Sequence, residues 1–178
     1  MNITSAAKAV FLDRDGVINR RPAEGLYITS PEELVLLPGV AAAIQRLNEN
    51  GYLVFVATNQ RCIARGSVSA ETVGRIHERM TQEIAAGGGH IERVYFCPHG
   101  YGDSCECRKP RPGMLRQAAQ EHALDLANCW MVGDNISDVE AGCAAACRTV
   151  LVGEENFATA DFVAGNLTEA VNTILTES

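Results

Sequence analysis

Three segments far apart in the chain hold residue types suited to moving a phosphoryl group. Phe11-Leu12-Asp13-Arg14-Asp15-Gly16-Val17-Ile18-Asn19 sets two carboxylates two positions apart. One can attack phosphorus and hold a metal, while the other carries the leaving group's proton. A carboxylate is an established covalent nucleophile in such chemistry. A Mg²⁺ ion beside the pair would offset the repulsion between an anionic nucleophile and an anionic phosphate. Standing alone, the same residues also suit a solvated acidic turn.

The second segment, Val56-Ala57-Thr58-Asn59-Gln60, offers a hydroxyl and amides to a phosphoryl oxygen, although a lone Thr58 equally suits a helix N-cap. Arg108-Lys109-Pro110-Arg111-Pro112 then gathers three cations in an otherwise acidic chain. Lys109 would neutralise a transferring group and Arg108 could clamp another part of the substrate, the alternative being an exposed basic loop. In the third segment, Met131-Val132-Gly133-Asp134-Asn135-Ile136-Ser137-Asp138, Asp134 would complete a Mg²⁺ shell. Asp138 would hold it from behind, or else serve as a first-turn carboxylate favoured by the helix dipole.

Cys97, His99, Cys105 and Cys107 supply three thiolates and one imidazole within eleven residues. That is the Cys₃His set of a structural Zn²⁺ site, four-coordinate and closed, so it is expected to shape the loop and not to catalyse. The metal would order the intervening Gly100-Tyr101-Gly102-Asp103-Ser104 stretch and so place Arg108 and Lys109. Cys62, Cys129, Cys143 and Cys147 read as scattered thiols.

These segments need elements to carry them. Apolar runs at 7–12, 52–58, 91–97, 129–132 and 149–152 read as strands. Helical spacing marks 39–50, a second helix through Val73, Ile76, Met80 and Ile84 stopped at Gly87, then 114–122 and 137–146. A last helix, capped by Asn166 with Glu169 in the manner of a capping box, runs to about residue 175. This alternation predicts an α/β fold, a mostly parallel central sheet with helices on both faces. In such folds ligands gather beyond the carboxyl ends of the strands, where Asp13, Asp15, Thr58, Cys97 and Asp134 all fall.

DRDG, TNQ, RKP and GDNxxD, in this order and spacing, resemble the haloacid dehalogenase (HAD) superfamily of phosphatases over nearly the whole chain. The resemblance implies a Rossmann-like HAD fold without a large cap domain. It also implies Asp13 as nucleophile, Asp15 as acid/base, Thr58 and Lys109 as phosphate ligands, and Mg²⁺ held by Asp13, Asp134 and the main-chain carbonyl of Asp15. The zinc loop is similar to a branch holding D-glycero-D-manno-heptose-1,7-bisphosphate 7-phosphatases, which serve nucleotide-activated heptose and lipopolysaccharide biosynthesis, and histidinol-phosphate phosphatases. Ile63-Ala64-Arg65-Gly66 after TNQ resembles the heptose enzymes, and Asn19 and Tyr27 fall where that branch has an asparagine and a substrate-loop tyrosine. Asn59, Gln60, Arg61, Arg108, Asn135 and Tyr27 are the substrate-binding expectation. Here the chain departs from the pattern: Arg61-Cys62 replaces Ser-Gly, and Asn135 replaces a lysine whose charge Arg61 would restore.

Composition limits the partners. At 178 residues one domain spanning 1–178 is expected, and a net charge of −7 argues against a broad nucleic-acid footprint. No run approaches the ~20 apolar residues of a membrane helix. The N-terminal residues lack the pattern of a signal peptide, so a cytoplasmic monomer acting on a small phosphorylated sugar is expected. The competing class, a non-catalytic zinc-ordered binding module, conflicts with an intact set of Asp, Thr, Lys and terminal Asp.

Overall fold

The computed structural model describes residues 7–153 and 159–177. The reading of the first six residues as free of a targeting segment lies outside that span. Among the described residues six strands form one parallel sheet: β1 (Ala9–Leu12), β2 (Leu53–Asn59), β3 (Arg93–Cys97), β4 (Trp130–Gly133), β5 (Arg148–Val152) and β6 (Phe162–Ala164). They lie in the order β3-β2-β1-β4-β5-β6. The chain crosses back at β1, so β1 and β4 flank the point where strand order reverses. There the connections diverge to opposite faces and leave a crevice.

The helices are α1 (Val40–Glu49), α2 (Ala70–Ala86), α3 (Gly113–His122), α4 (Ile136–Ala144) and α5 (Leu167–Thr176). Period-two alternation splits each central strand between two cores. Val10 and Leu12 of β1, with Val54, Val56 and Val132, pack under α1, α2 and α5 through Ile44, Leu47, Ile76, Met80, Val171 and Ile174. Ala9 and Phe11, with Phe55, Ala57 and Met131, face Met114, Leu115 and Ala118 of α3. Gly142 lets α4 lie against the sheet, since a Cβ there would stand 2.8 Å from that of Met131. Among the described residues no helix is long and apolar enough to cross a membrane.

Several boundaries differ from expectation for identifiable reasons. Tyr52 does not open β2, because its N–H turns back to the Leu47 carbonyl at 3.0 Å, satisfying the end of α1 around left-handed Gly51 (φ +78°). Ala7 forms an isolated bridge to Leu124, so β1 starts only at Ala9. Neither Ile91 nor Cys129 belongs to a strand; β3 opens at Arg93, and Cys129 closes a short 3-10 turn before β4. The fourth helix ends at Ala144, beyond which Ala146 takes a left-handed conformation (φ +64°). At α5, Asn166 caps the Glu169 N–H at 3.0 Å, and the Glu169 carboxylate accepts from the Gly165 N–H at 2.8 Å and from Asn166 Nδ2 at 3.1 Å. The reciprocal capping box belongs to α4, between Asn135 and Asp138. β6, only three residues long, had no counterpart in the sequence reading.

Candidate active site

Asp13 follows β1 directly, and its N–H continues the ladder to the Val132 carbonyl of β4 at 2.9 Å. The side chain is therefore fixed at the switch point and is 8% exposed. Lys109 reaches it from the loop after β3. Its ammonium lies 2.8 Å from Asp13 Oδ1, 2.7 Å from Asp138 Oδ1 and 2.6 Å from the Ala57 carbonyl. Three acceptors match the three N–H donors of an ammonium, which explains how a lysine 4% exposed remains charged. Burial alone would depress Lys109; the two carboxylates outweigh it and hold the ammonium above the ordinary lysine range.

The main chain of Lys109 is gripped as firmly. Asn59, at the tip of β2, accepts from the Lys109 N–H at 3.0 Å and donates to its carbonyl at 3.1 Å. The Asn59 amide thus holds the cation in place while also lining the cleft. Thr58 is 1% exposed, and its Oγ1 accepts from Gln60 Nε2 at 2.9 Å. Accepting there points the hydroxyl proton elsewhere.

Asp134 follows β4, and its Oδ1 pairs with Arg21 at 2.8 Å. Burial, followed by the nearby Asp13 charge, pushes Asp134 up to about 7. Asp138 is likewise raised to about 6, chiefly by burial. Carboxylate oxygens of Asp13, Asp134 and Asp138 all lie within 4.8 Å of one another. Gly16 makes the crowding possible: a Cβ there would stand 1.7 Å from Asp134 Oδ2, and its φ of +91° suits glycine. Crowded, partly dry carboxylates are the donor set a hard divalent cation such as Mg²⁺ takes. Asp138 is committed elsewhere, to Lys109 and through Oδ2 to the Asn135 N–H at 3.1 Å. That leaves Asp13 and Asp134 as the fitting pair.

The Asp15 side chain stands apart from that cluster. Its Oδ1 accepts from Arg14 Nε and NH2 at 3.3 and 3.1 Å and from Asn19 at 2.9 Å. Its Oδ2 accepts from Arg14 at 2.9 Å and from Gln60 at 3.5 Å. Asn135 lines the cleft, with its side chain capping the Ser137 N–H at 3.1 Å.

The cleft, about 640 Å³, is lined by Asp13, Asp15, Thr58, Lys109 and Asn135 on the strand side and by Tyr101, Arg108 and Arg111 on the loop side. Arg108 donates to the His99 carbonyl at 3.0 Å and stacks on Tyr101, 4.4 Å from the ring centre. Arg61 stacks on the same ring at 4.2 Å, at the rim. Tyr27 lines a neighbouring hollow with Asp15 and Gln60, and its hydroxyl accepts from Arg65 at 3.4 Å. Arg21, Arg14 and Tyr101 were not singled out from sequence; a charged Arg20-Arg21 step after the acidic loop was the only available signal for the first.

Four soft donors meet at the base of the loop. His99 Nδ1 lies 3.5 Å from Cys97 Sγ and 3.3 Å from Cys107 Sγ, and Cys97 Sγ lies 3.8 Å from that of Cys105. Burial and then the Cys97 thiol push Cys107 far up, a penalty that a bound cation reverses. The set fits Zn²⁺.

Comparison with known proteins agrees with this architecture. Residues 106–175 match the HAD-hydrolase-like family. The D-glycero-beta-D-manno-heptose-1,7-bisphosphate 7-phosphatase of Pseudomonas aeruginosa is 44% identical over 143 residues, 80% of this chain and 79% of that protein. The D-glycero-alpha-D-manno-heptose-1,7-bisphosphate 7-phosphatase of Campylobacter jejuni is 38% identical and covers 93% of this chain and 94% of its own. The crystal structure of D,D-heptose 1,7-bisphosphate phosphatase from B. bronchiseptica, complexed with magnesium and phosphate, superposes with a TM-score of 0.86 at 35% identity, covering 97% and 99% of the two chains. Identical to these relatives at 35–44% of aligned positions over most of both chains, this chain belongs to the heptose-bisphosphate phosphatase family of HAD hydrolases.

Proposed function

We propose that residues 1–178 act as a single cytoplasmic phosphatase domain that removes the 7-phosphate of D-glycero-D-manno-heptose 1,7-bisphosphate through an aspartyl-phosphate on Asp13. The observation that carries the assignment of roles is the ammonium of Lys109, 2.8 Å from Asp13 Oδ1 in a nearly dry pocket. Held there, it orients the nucleophilic carboxylate and faces any phosphoryl group that carboxylate attacks. Asp13 and Asp134, with the Asp15 carbonyl, would hold Mg²⁺, which when bound supplies the positive charge that offsets repulsion between carboxylate and phosphate.

Asp13 attacks phosphorus in line as Asp15 gives its proton to the departing C7 oxygen. Asp15 then takes a proton from the water that cleaves the acyl phosphate, so the same carboxyl serves both half-reactions. Thr58, its oxygen already satisfied by Gln60, donates to an equatorial phosphoryl oxygen. Arg108 and Arg61, stacked on one exposed tyrosine, reach the distal anionic group. The test is phosphate release from both anomers of the bisphosphate and from histidinol phosphate, each with Mg²⁺ and with chelator. Asp13→Asn is expected to abolish turnover while leaving fold and zinc content intact. Retained activity in that variant, or a preference for histidinol phosphate, overturns the proposal.

A further inference from the structure

A buried imidazole lies outside the chemistry described above. His77, in the middle of α2, is 6% exposed although it neighbours the apolar stripe of Val73, Ile76, Met80 and Ile84. Its ring packs edge-on against Phe96 of β3, with centroids 5.5 Å apart, which fixes its orientation. Nε2 lies 3.2 Å from NH1 of Arg14, 63 residues away in sequence. A guanidinium only donates, so Nε2 is the acceptor and the imidazole is the neutral Nδ1–H tautomer. Burial and then the Arg14 charge hold His77 down at about 3, in keeping with that tautomer.

Arg14 is itself 1% exposed, and its Nε and NH2 both go to Asp15. A planar guanidinium anchored at one end and forked at the other leaves the carboxyl plane little freedom. Oδ1, with donors from Arg14 and Asn19, is saturated. Oδ2 keeps one short contact and one at 3.5 Å. Oδ2 is thus the oxygen placed to exchange a proton with the cleft.

We propose that His77 is a positioning residue for the phosphatase reaction, acting through Arg14 to aim the Asp15 carboxyl at the leaving oxygen. This rests on the reading of Asp15 as the general acid. The Asp15 O–H bond breaks as the P–O bond to the sugar breaks, and the proton ends on the sugar hydroxyl. A nitrophenyl ester departs as a stable phenolate and needs no such proton. Misaiming Asp15 therefore injures the sugar ester more than the aryl ester.

The experiment compares kcat/KM, which reports steps through phosphoenzyme formation, for heptose bisphosphate and p-nitrophenyl phosphate. His77→Phe keeps ring volume but removes the acceptor, and His77→Gln retains one. His77→Phe is expected to lose roughly 10- to 100-fold on the sugar ester and less than about threefold on the aryl ester, with KM for the sugar unchanged. His77→Gln is expected to recover most of that loss. An equal loss on both esters, or no loss on either, overturns the proposal. His77→Met replaces the phenylalanine variant if that one does not fold. Should neither fold, the glutamine variant decides, and a shift of more than about fivefold in its ratio between the two esters overturns the idea. Asp15→Asn separates the two claims: if it keeps full activity on the sugar ester, the acid assignment fails; if it loses that activity while His77→Phe does not, only the positioning role fails.

Discussion

Replacing Lys109 by methionine perturbs stability and chemistry together, with a size that follows from the geometry. The ammonium makes two carboxylate contacts, at 2.8 and 2.7 Å. Each is worth about 6 kcal/mol of gross Coulomb attraction at an effective dielectric of about 20. Most of that offsets the desolvation of three buried ions, so the net loss expected on removing one partner is about 3–5 kcal/mol. For a chain of this size that corresponds to a fall in Tm of roughly 6–20 °C. The loss depends on pH in a definite direction. Asp138 at about 6 and Asp134 at about 7 already hold protons more tightly than an unfolded carboxylate. Without the ammonium they rise further, so the folded state binds protons that the unfolded state has released. Stability lost at pH 8 is therefore regained as pH falls below about 6. Urea melts of parent and Lys109→Met at pH 8 and 5.5, in Mg²⁺-free buffer, measure both effects. A loss below about 1 kcal/mol at pH 8, or the same loss at both pH values, would refute the account of Lys109 as the counter-ion of a strained acidic cluster.

Gly16→Ala puts a Cβ 1.7 Å from Asp134 Oδ2 at a φ of +91°, so it is expected to weaken Mg²⁺ binding by tenfold or more and to destabilise by about 1–3 kcal/mol; titration calorimetry and melting check both. Cys105→Ser is expected to release zinc, to lower Tm by at least about 5 °C, and to reduce kcat/KM by about tenfold or more by loosening Arg108 and Lys109; zinc analysis beside the kinetics checks it. His77, held at about 3 against 6.5 in the unfolded chain, takes up a proton only on unfolding between those values. Its contribution to stability is complete above pH 6.5 and declines on acidification, by about 3 kcal/mol at pH 4, and His77→Gln is expected to flatten that slope in acid melts.

The strand–helix alternation was legible because each central strand is buried on both faces and reads as a continuous apolar run, while the helices keep a 3.6-residue stripe. Element ends were less legible, because long-range contacts fix them, as when Tyr52 turns back onto Leu47. At the site, residue types at strand ends marked Asp13, Thr58 and Asp134 as groups that would meet at one sheet edge, and the tight Cys/His spacing marked the loop on which four soft donors gather. The supporting contacts left no such mark. Asn59 was read as a contact for substrate, yet its amide clasps the backbone of a residue fifty positions on. Arg14, between two aspartates, resembles an exposed charge, and only the fold reveals the histidine on α2 that meets it. Pairings of this kind depend on packing angles that no local pattern encodes.

The chain contains just two lysines, Lys8 and Lys109, against thirteen arginines. Lys109 is sealed by Asp13, Asp138 and the Ala57 carbonyl. Amine-selective acylation therefore distinguishes Lys8, half-buried over the Tyr52 ring, from the shielded nitrogen of Lys109. Mass-spectrometric counting of label on the peptide carrying Lys109 becomes a clock for opening of the catalytic pocket, read without substrate, and bound phosphate analogues are expected to slow it.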